Sequence, residues 1–166
     1  MSATLDSSVS SFPEGATRRL VAAIVVGGLL AGTIDIFAAS AISHAAPNLI
    51  LKFIASGLLG PVARKGGAQT VAIGLVLQWG MSLIIAAIYG VASLKLPALY
   101  RQPAIFGALY GAPVYVVMTF VVAPLSAAGV ATHLPSVKSI ALNLAAMILF
   151  GLILAFTGWA MKTARL

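Results

Sequence analysis

Uncharged apolar runs alternate along the chain with short segments that hold nearly all of its lysine and arginine residues. Four of these runs, 20–43, 68–93, 102–125 and 139–161, are each long enough to cross a bilayer as a helix. Because short connections favour antiparallel neighbours, the pattern predicts an all-α polytopic membrane protein, a four-transmembrane-helix up-down-up-down bundle. A cleaved signal peptide competes for the first run, but that run is longer than a signal-peptide core and contains an acid.

A shorter apolar segment, 48–59, lies between the first two runs and is too short to span a membrane. Asn48, Lys52 and Ser56 recur in it every four residues, so one narrow face of the predicted helix is polar. We expect this helix to lie in the membrane interface or to enter the membrane as a re-entrant piece, where it caps one end of the bundle.

The first 17 residues are rich in Ser and Ala and have no apolar period. They predict a flexible N-terminal tail, residues 1–17, followed by a single transmembrane domain, residues 18–166.

Composition agrees with a membrane protein: 61% of the 166 residues are hydrophobic and 8% are charged, and the mean hydropathy is +1.08. The net charge of +7 does not indicate nucleic acid, because the basic residues stand singly or in pairs beside the apolar runs. Six of them fall on the side of the termini and four on the other, which favours cytoplasmic termini. The chain has no cysteine, which excludes disulfides and thiolate metal sites.

Asp35 is the only acidic residue inside a predicted span. A carboxylate at the centre of a membrane helix costs about 3 kcal/mol on insertion scales, so it normally faces protein or water. Gly28, Gly32 and Asp35 lie on one helical face, which should turn Asp35 into the bundle. No Lys, Arg or His lies inside a span to pair with it, so we expect a neutral carboxyl group at pH 7.

Small residues predict the closest helix pair. Gly28 and Gly32 in the first span and Gly107 and Gly111 in the third are spaced four apart, which lets helix backbones approach. We expect the first and third spans to pack together through these glycines.

Polar residues of all four spans are predicted to meet in one half of the membrane. Counting 1.5 Å per residue from the non-terminal side places them at depths of about 6 to 15 Å. They are Asp35, Gln78, Tyr115, Thr119 and Asn143. In one interpretation Asp35 donates to Gln78 or to a backbone carbonyl and fixes helix packing. In another it lines a crevice, within reach of Lys52, that binds a proton, a cation or a polar head group. In a third it contacts a partner subunit.

Two histidines, His44 and His133, fall in connections on the same side of the membrane. Such a pair can ligate a metal or a haem, but haem-binding histidines of membrane cytochromes usually lie within spans and no carboxylate is nearby to support them. We expect interfacial histidines and no metal or cofactor. The chain also has no phosphate-binding loop and no nucleophile elbow, so the sequence predicts no enzyme.

Several short strings resemble a group of small, uncharacterised bacterial inner-membrane proteins that have four transmembrane helices. They are Gly32-Thr-Ile-Asp35, the segment 54–60, Gly107-Ala-Leu-Tyr-Gly111 with 114–118, and 122–126. The resemblance covers roughly residues 28–126 and implies a bacterial inner membrane, with no established activity. In that pattern a His takes the place of Gln78. Because glutamine does not titrate, the hypothesis of a proton relay through the second span is weaker for this chain.

These observations favour a non-enzymatic accessory or structural subunit that packs against membrane lipids and against other membrane proteins or copies of itself. The glycine faces and the lack of catalytic residues support this hypothesis. The alternative is a small transporter or permeation protein for protons, cations or a polar lipid group, with Asp35 as the binding carboxylate.

Overall fold

The computed structural model of the protein describes residues 14–129 and 136–163. This part of the chain is mostly helical and contains no strand. Five helices carry the fold. They are α1 (Glu14–Ser43), α2 (Pro47–Leu59), α3 (Ala68–Lys95), α4 (Pro103–Leu125) and α5 (Val137–Thr163). A 3₁₀ turn, Pro61–Lys65, joins α2 to α3, and a single helical turn, Ala98–Arg101, precedes α4.

The four long helices, α1, α3, α4 and α5, are long and apolar enough to cross a membrane. The chain is therefore an integral, multi-pass membrane protein, and the predicted all-α fold of four spans plus a short helix is confirmed. The boundaries differ at the ends. Helix α1 begins at Glu14, inside the segment predicted as a tail, while residues 1–13 lie outside the described part.

The long helices alternate in direction. The beginning of α1 lies beside the end of α3 and the end of α5, where Arg19, Leu94 and Lys162 line one cavity. At the opposite end, the segment after α4 meets α2 and its turn, because Ala127 N donates to Gly57 O over 2.8 Å and Arg64 Nη2 donates to Ala128 O. We call the first the terminal side and the second the non-terminal side.

The predicted close pairing of the first and third spans is wrong. Helix α1 packs between α3 and α5, and α4 packs against α5. A Cβ added to Gly28 would lie 3.2 Å from the Cα atom of Leu83 in α3, and one added to Gly111 would lie 2.6 Å from the Cα atom of Ile148 in α5. Spacing reveals that a helix face allows close approach, but it does not reveal which helix approaches.

Helices α3 and α4 lie farther apart than the glycine-packed pairs α1–α3 and α4–α5, and tyrosine side chains connect them. Tyr110 Oη donates to the carbonyl of Ile85 over 2.8 Å, and its ring meets Tyr89 edge-on with 5.0 Å between centroids. Between this bridge and the non-terminal side the two helices leave a cavity of about 330 Å³ lined almost wholly by apolar side chains.

Helix α4 changes its winding near the non-terminal side. Pro113 lies inside it and removes one backbone donor, and a π-helical segment, Met118–Val122, follows. Such segments rotate the residues that follow relative to an uninterrupted α-helix and are frequent at functional sites. Here it lies where three cavities meet, each of them lined in part by Met118.

Helix α2 packs across the non-terminal end of α3. Gly74 makes this possible, because a Cβ there would collide with the backbone of Leu51. Leu51, Ala55 and Ser56 are buried. Of the predicted polar stripe, Asn48 is exposed and Lys52 is half-buried, whereas Ser56 is fully buried and donates to the carbonyl of Phe53 over 2.6 Å.

Candidate functional site

The carboxylate of Asp35 is tied to α3 by one hydrogen bond. Gln78 Nε2 donates to Asp35 Oδ2 over 2.9 Å and also to the carbonyl of Gly32 over 3.3 Å. Gly32 allows this approach because a side chain there would collide with Ser82 of α3. The amide of Gln78 therefore fixes the position of the carboxylate and satisfies one of its two oxygens.

The second oxygen of Asp35 has no hydrogen-bond donor among the residues that the structure describes. Yet no buried side-chain oxygen or nitrogen in this part of the chain lacks a partner. The second oxygen must therefore be accessible, and the Asp35 side chain lines a cavity between α1, α4 and α5.

This polar cavity has a volume of about 300 Å³. It is lined by Asp35, Ala39, Tyr115, Met118, Thr119, Ala123, Ser139, Asn143 and Met147. Four of the five residues predicted as an intramembrane polar cluster thus line one cavity, and the fifth, Gln78, is bonded to Asp35 from the side of α3. Among the residues that the structure describes, no lysine, arginine or histidine belongs to this lining.

The polar side chains of the cavity retain unused hydrogen-bonding capacity. Tyr115 is only 6% exposed, and neither its hydroxyl nor that of Thr119 bonds to another described residue. Asn143 Nδ2 donates to the carbonyl and hydroxyl oxygens of Ser139, over 2.8 and 3.2 Å, which leaves the amide oxygen of Asn143 as an acceptor. One carboxylate, two hydroxyls and one amide thus present oxygen atoms to a shared space.

An array of oxygen ligands is the chemistry that hard cations prefer. A single carboxylate balances one positive charge, and the part of the chain described holds no group of three His, Cys, Asp or Glu residues that suits a transition metal. The arrangement can therefore bind a monovalent cation, or a proton on Asp35 itself.

The polar cavity extends toward the non-terminal side. Ser139, Asn143 and Met147 line it at intervals of four along α5, which corresponds to about 12 Å of helix. Ser139 is two residues after the start of α5, and Asp35 lies at the deeper end. Beyond Asp35, Ala31, Phe150 and Leu154 belong to a tightly buried apolar core.

The other predicted positions lie away from this cavity. Lys52 is half-buried on α2 and does not line it. His44 is exposed in the turn after α1, where its φ of 53° is left-handed. His133 lies outside the described residues.

The sequence did not predict a role for Ser139, Ser82 or Trp79. Ser139 is four residues before Asn143, a spacing that places both on one face of α5, so the sequence could have predicted that they line the same cavity. Ser82 and Trp79 join α3 to α1: Ser82 packs on Gly32, and Trp79 Nε1 donates to the hydroxyl of Thr33 over 3.2 Å.

Comparison of the chain with protein-family models, with curated proteins and with solved structures finds no match. The geometry of the cavity is therefore the basis for assigning a function.

Proposed function

We propose that this protein is a small transport or permeation protein that binds a monovalent cation at Asp35. The observation that carries the proposal is that Asp35, one of whose oxygens has no described hydrogen-bond donor, lines a membrane-embedded cavity together with Tyr115, Thr119 and Asn143. In hydrocarbon an ionised residue is costly unless it lines a pathway or pairs with a charge, and a bound cation is such a partner.

The surrounding groups suit this role. A cation leaving water must replace its hydration shell, and the hydroxyl and amide oxygens of the cavity can supply part of it. Gln78 donates a hydrogen bond to one oxygen of Asp35, which leaves the other oxygen available to a cation in the cavity that Asp35 lines. A proton would compete for the same carboxylate, so cation binding should weaken as pH falls.

The cavities on the two sides of the membrane support transport more than static binding. The polar cavity reaches Asp35 from the non-terminal side, and a separate cavity of about 250 Å³ lies on the terminal side near Arg19 and Lys162. Packed apolar side chains, including Phe150 and Leu154, separate the two. A site near the middle of the membrane that is open to one side is the arrangement from which alternating access proceeds.

A purely structural role has less support than the glycine pattern suggests. Gly28 and Gly32 pack on α3, and Gly107 and Gly111 pack on α5. These faces are used inside the bundle, so they are not free to bind another subunit. We also propose a location in a bacterial inner membrane with cytoplasmic termini, supported by the excess of basic residues on that side.

Radiolabelled sodium uptake into proteoliposomes tests the proposal. Asp35→Asn keeps an oxygen that can accept the hydrogen bond from Gln78 but removes the negative charge. Sodium uptake should therefore fall about tenfold or more. Glu14→Gln removes an equal charge at the first residue of the same helix, far along the chain from Asp35, and should leave uptake unchanged. Equal uptake by Asp35→Asn and the wild type, or no uptake above empty liposomes, would overturn the proposal.

A further inference from the structure

A second, apolar cavity adjoins the polar one on the far side of Gln78. It has a volume of about 320 Å³ and lies between α2, α3 and α4. It shares Met81, Met118 and Val122 with the cavity between α3 and α4 described above. The two form one continuous apolar groove, which follows α4 from Ser126 to Tyr110.

The groove has the dimensions of a lipid chain. Sixteen residues of helix separate Ser126 from Tyr110, a distance of about 24 Å. One leaflet of hydrocarbon is about 15 Å thick, half of the membrane core. At the inner end, the hydrogen bond from Tyr110 to the carbonyl of Ile85 closes the groove. An acyl chain that enters from the non-terminal side fits within this length.

A cation is held at the outer end of the groove. The guanidinium carbon of Arg64 lies 5.1 Å from the ring centroid of Phe53, and Arg64 Nη2 donates to the carbonyl of Ala128. Phe53 and Ala128 both line the groove. Arg64 is itself exposed, so the remaining donors of its guanidinium group are available to an anion at the mouth.

We propose that this groove binds one anionic phospholipid, with an acyl chain between α3 and α4 and its phosphate at Arg64. An apolar groove that is long enough for an acyl chain and carries a positioned cation at its interfacial end complements such a lipid in both shape and charge. The proposal does not depend on cation binding at Asp35, because the groove takes a lipid through its apolar lining and Arg64, and Asp35 is not part of that lining.

Native mass spectrometry of the full-length protein in detergent, titrated with phosphatidylglycerol or phosphatidylcholine, tests this proposal. The wild type should retain several-fold more phosphatidylglycerol. Arg64→Gln should remove that preference, whereas Lys65→Gln, a charge loss at the next residue, should keep it. Equal retention of the two lipids by the wild type, or competition by free glycerol phosphate as effective as that by the lipid, would overturn the proposal.

A groove-filling variant keeps the test valid if Arg64→Gln does not fold. Met81→Trp places an indole in the groove and should lower retention of phosphatidylglycerol several-fold. Val76→Trp adds the same ring to α3 at a side chain that is 67% exposed and outside the groove, and should have no effect. Unchanged retention by Met81→Trp, or a dimer that this variant dissociates, would contradict a bound lipid.

Discussion

At the scale of single residues, the structure assigns the two oxygens of Asp35 to different tasks. One accepts a hydrogen bond from Gln78 and joins α1 to α3, while the other has no described donor in a side chain that lines the polar cavity. The sequence left three interpretations open, namely packing, binding in a crevice and contact with a partner subunit. The packing interpretation paired Asp35 with Gln78 but made Asp35 the donor, whereas in the structure Gln78 donates to Asp35. Packing and binding are compatible, because the carboxylate that is bonded to α3 also lines the polar cavity.

The hydrogen bond between Asp35 and Gln78 should couple the two residues energetically. Interhelical hydrogen bonds in membranes contribute about 0.6 kcal/mol on average and about 1.7 kcal/mol at most. A double-mutant cycle with Asp35→Ala and Gln78→Ala, measured by reversible unfolding in mixed micelles, should give a coupling free energy in that range. Strictly additive effects of the two substitutions would contradict a direct bond.

At the scale of elements, glycines bring the backbones of α4 and α5 into direct contact. A Cβ on Gly151 would lie 2.9 Å from the backbone nitrogen of Gly111, and a Cβ on Gly107 would lie 3.0 Å from the Cα atom of Leu152. These neighbours are backbone atoms, which cannot rotate away, so the interface tolerates no added methyl group without moving a helix.

Gly111→Ala should therefore lower the free energy of unfolding by about 1–3 kcal/mol, the usual cost of overpacking. Gly80→Ala is the matched control, because nothing lies within 4 Å of a Cβ at that position of α3. Unfolding of both variants in mixed micelles measures the difference. A Gly111→Ala variant as stable as Gly80→Ala would show that α4 and α5 are not in backbone contact.

The elements also show what the sequence could and could not predict. Hydrophobic run length is a local property, so the four spans and the short helix were predictable. Helical periodicity also placed Asp35 on an inward face, and depth counting grouped it with Tyr115, Thr119 and Asn143. Partner choice between helices is not local: one glycine face can meet any neighbour, and nothing in the periodicity chose α3 for Gly32.

At the scale of the whole molecule, the order α3, α1, α5, α4 explains why cavities form where they do. Helix α1 fills the space between α3 and α5, so α3 and α4 are bridged by Tyr110 and leave the groove beside it. The polar cavity lies on the other side of Met118, between α1, α4 and α5. One bundle thus presents an apolar site and a polar site on opposite faces of the same π-helical segment.

Cysteine protection tests most directly whether a cation occupies the polar cavity at Asp35. The chain has no cysteine, so Ala39→Cys, which lies in the cavity lining, introduces a single thiol. Phe37→Cys is the control, because Phe37 is 60% exposed on α1 and lies outside the cavity. Thiolates react only where water reaches them, so a membrane-impermeant reagent should label Ala39→Cys and should barely label Phe37→Cys.

Sodium in place of a large organic cation should slow the labelling of Ala39→Cys several-fold, and Asp35→Asn should abolish this protection. Two results would contradict a cation site at this carboxylate. One is labelling of Ala39→Cys at the same rate with and without sodium, and the other is sodium protection that is retained in the Asp35→Asn variant.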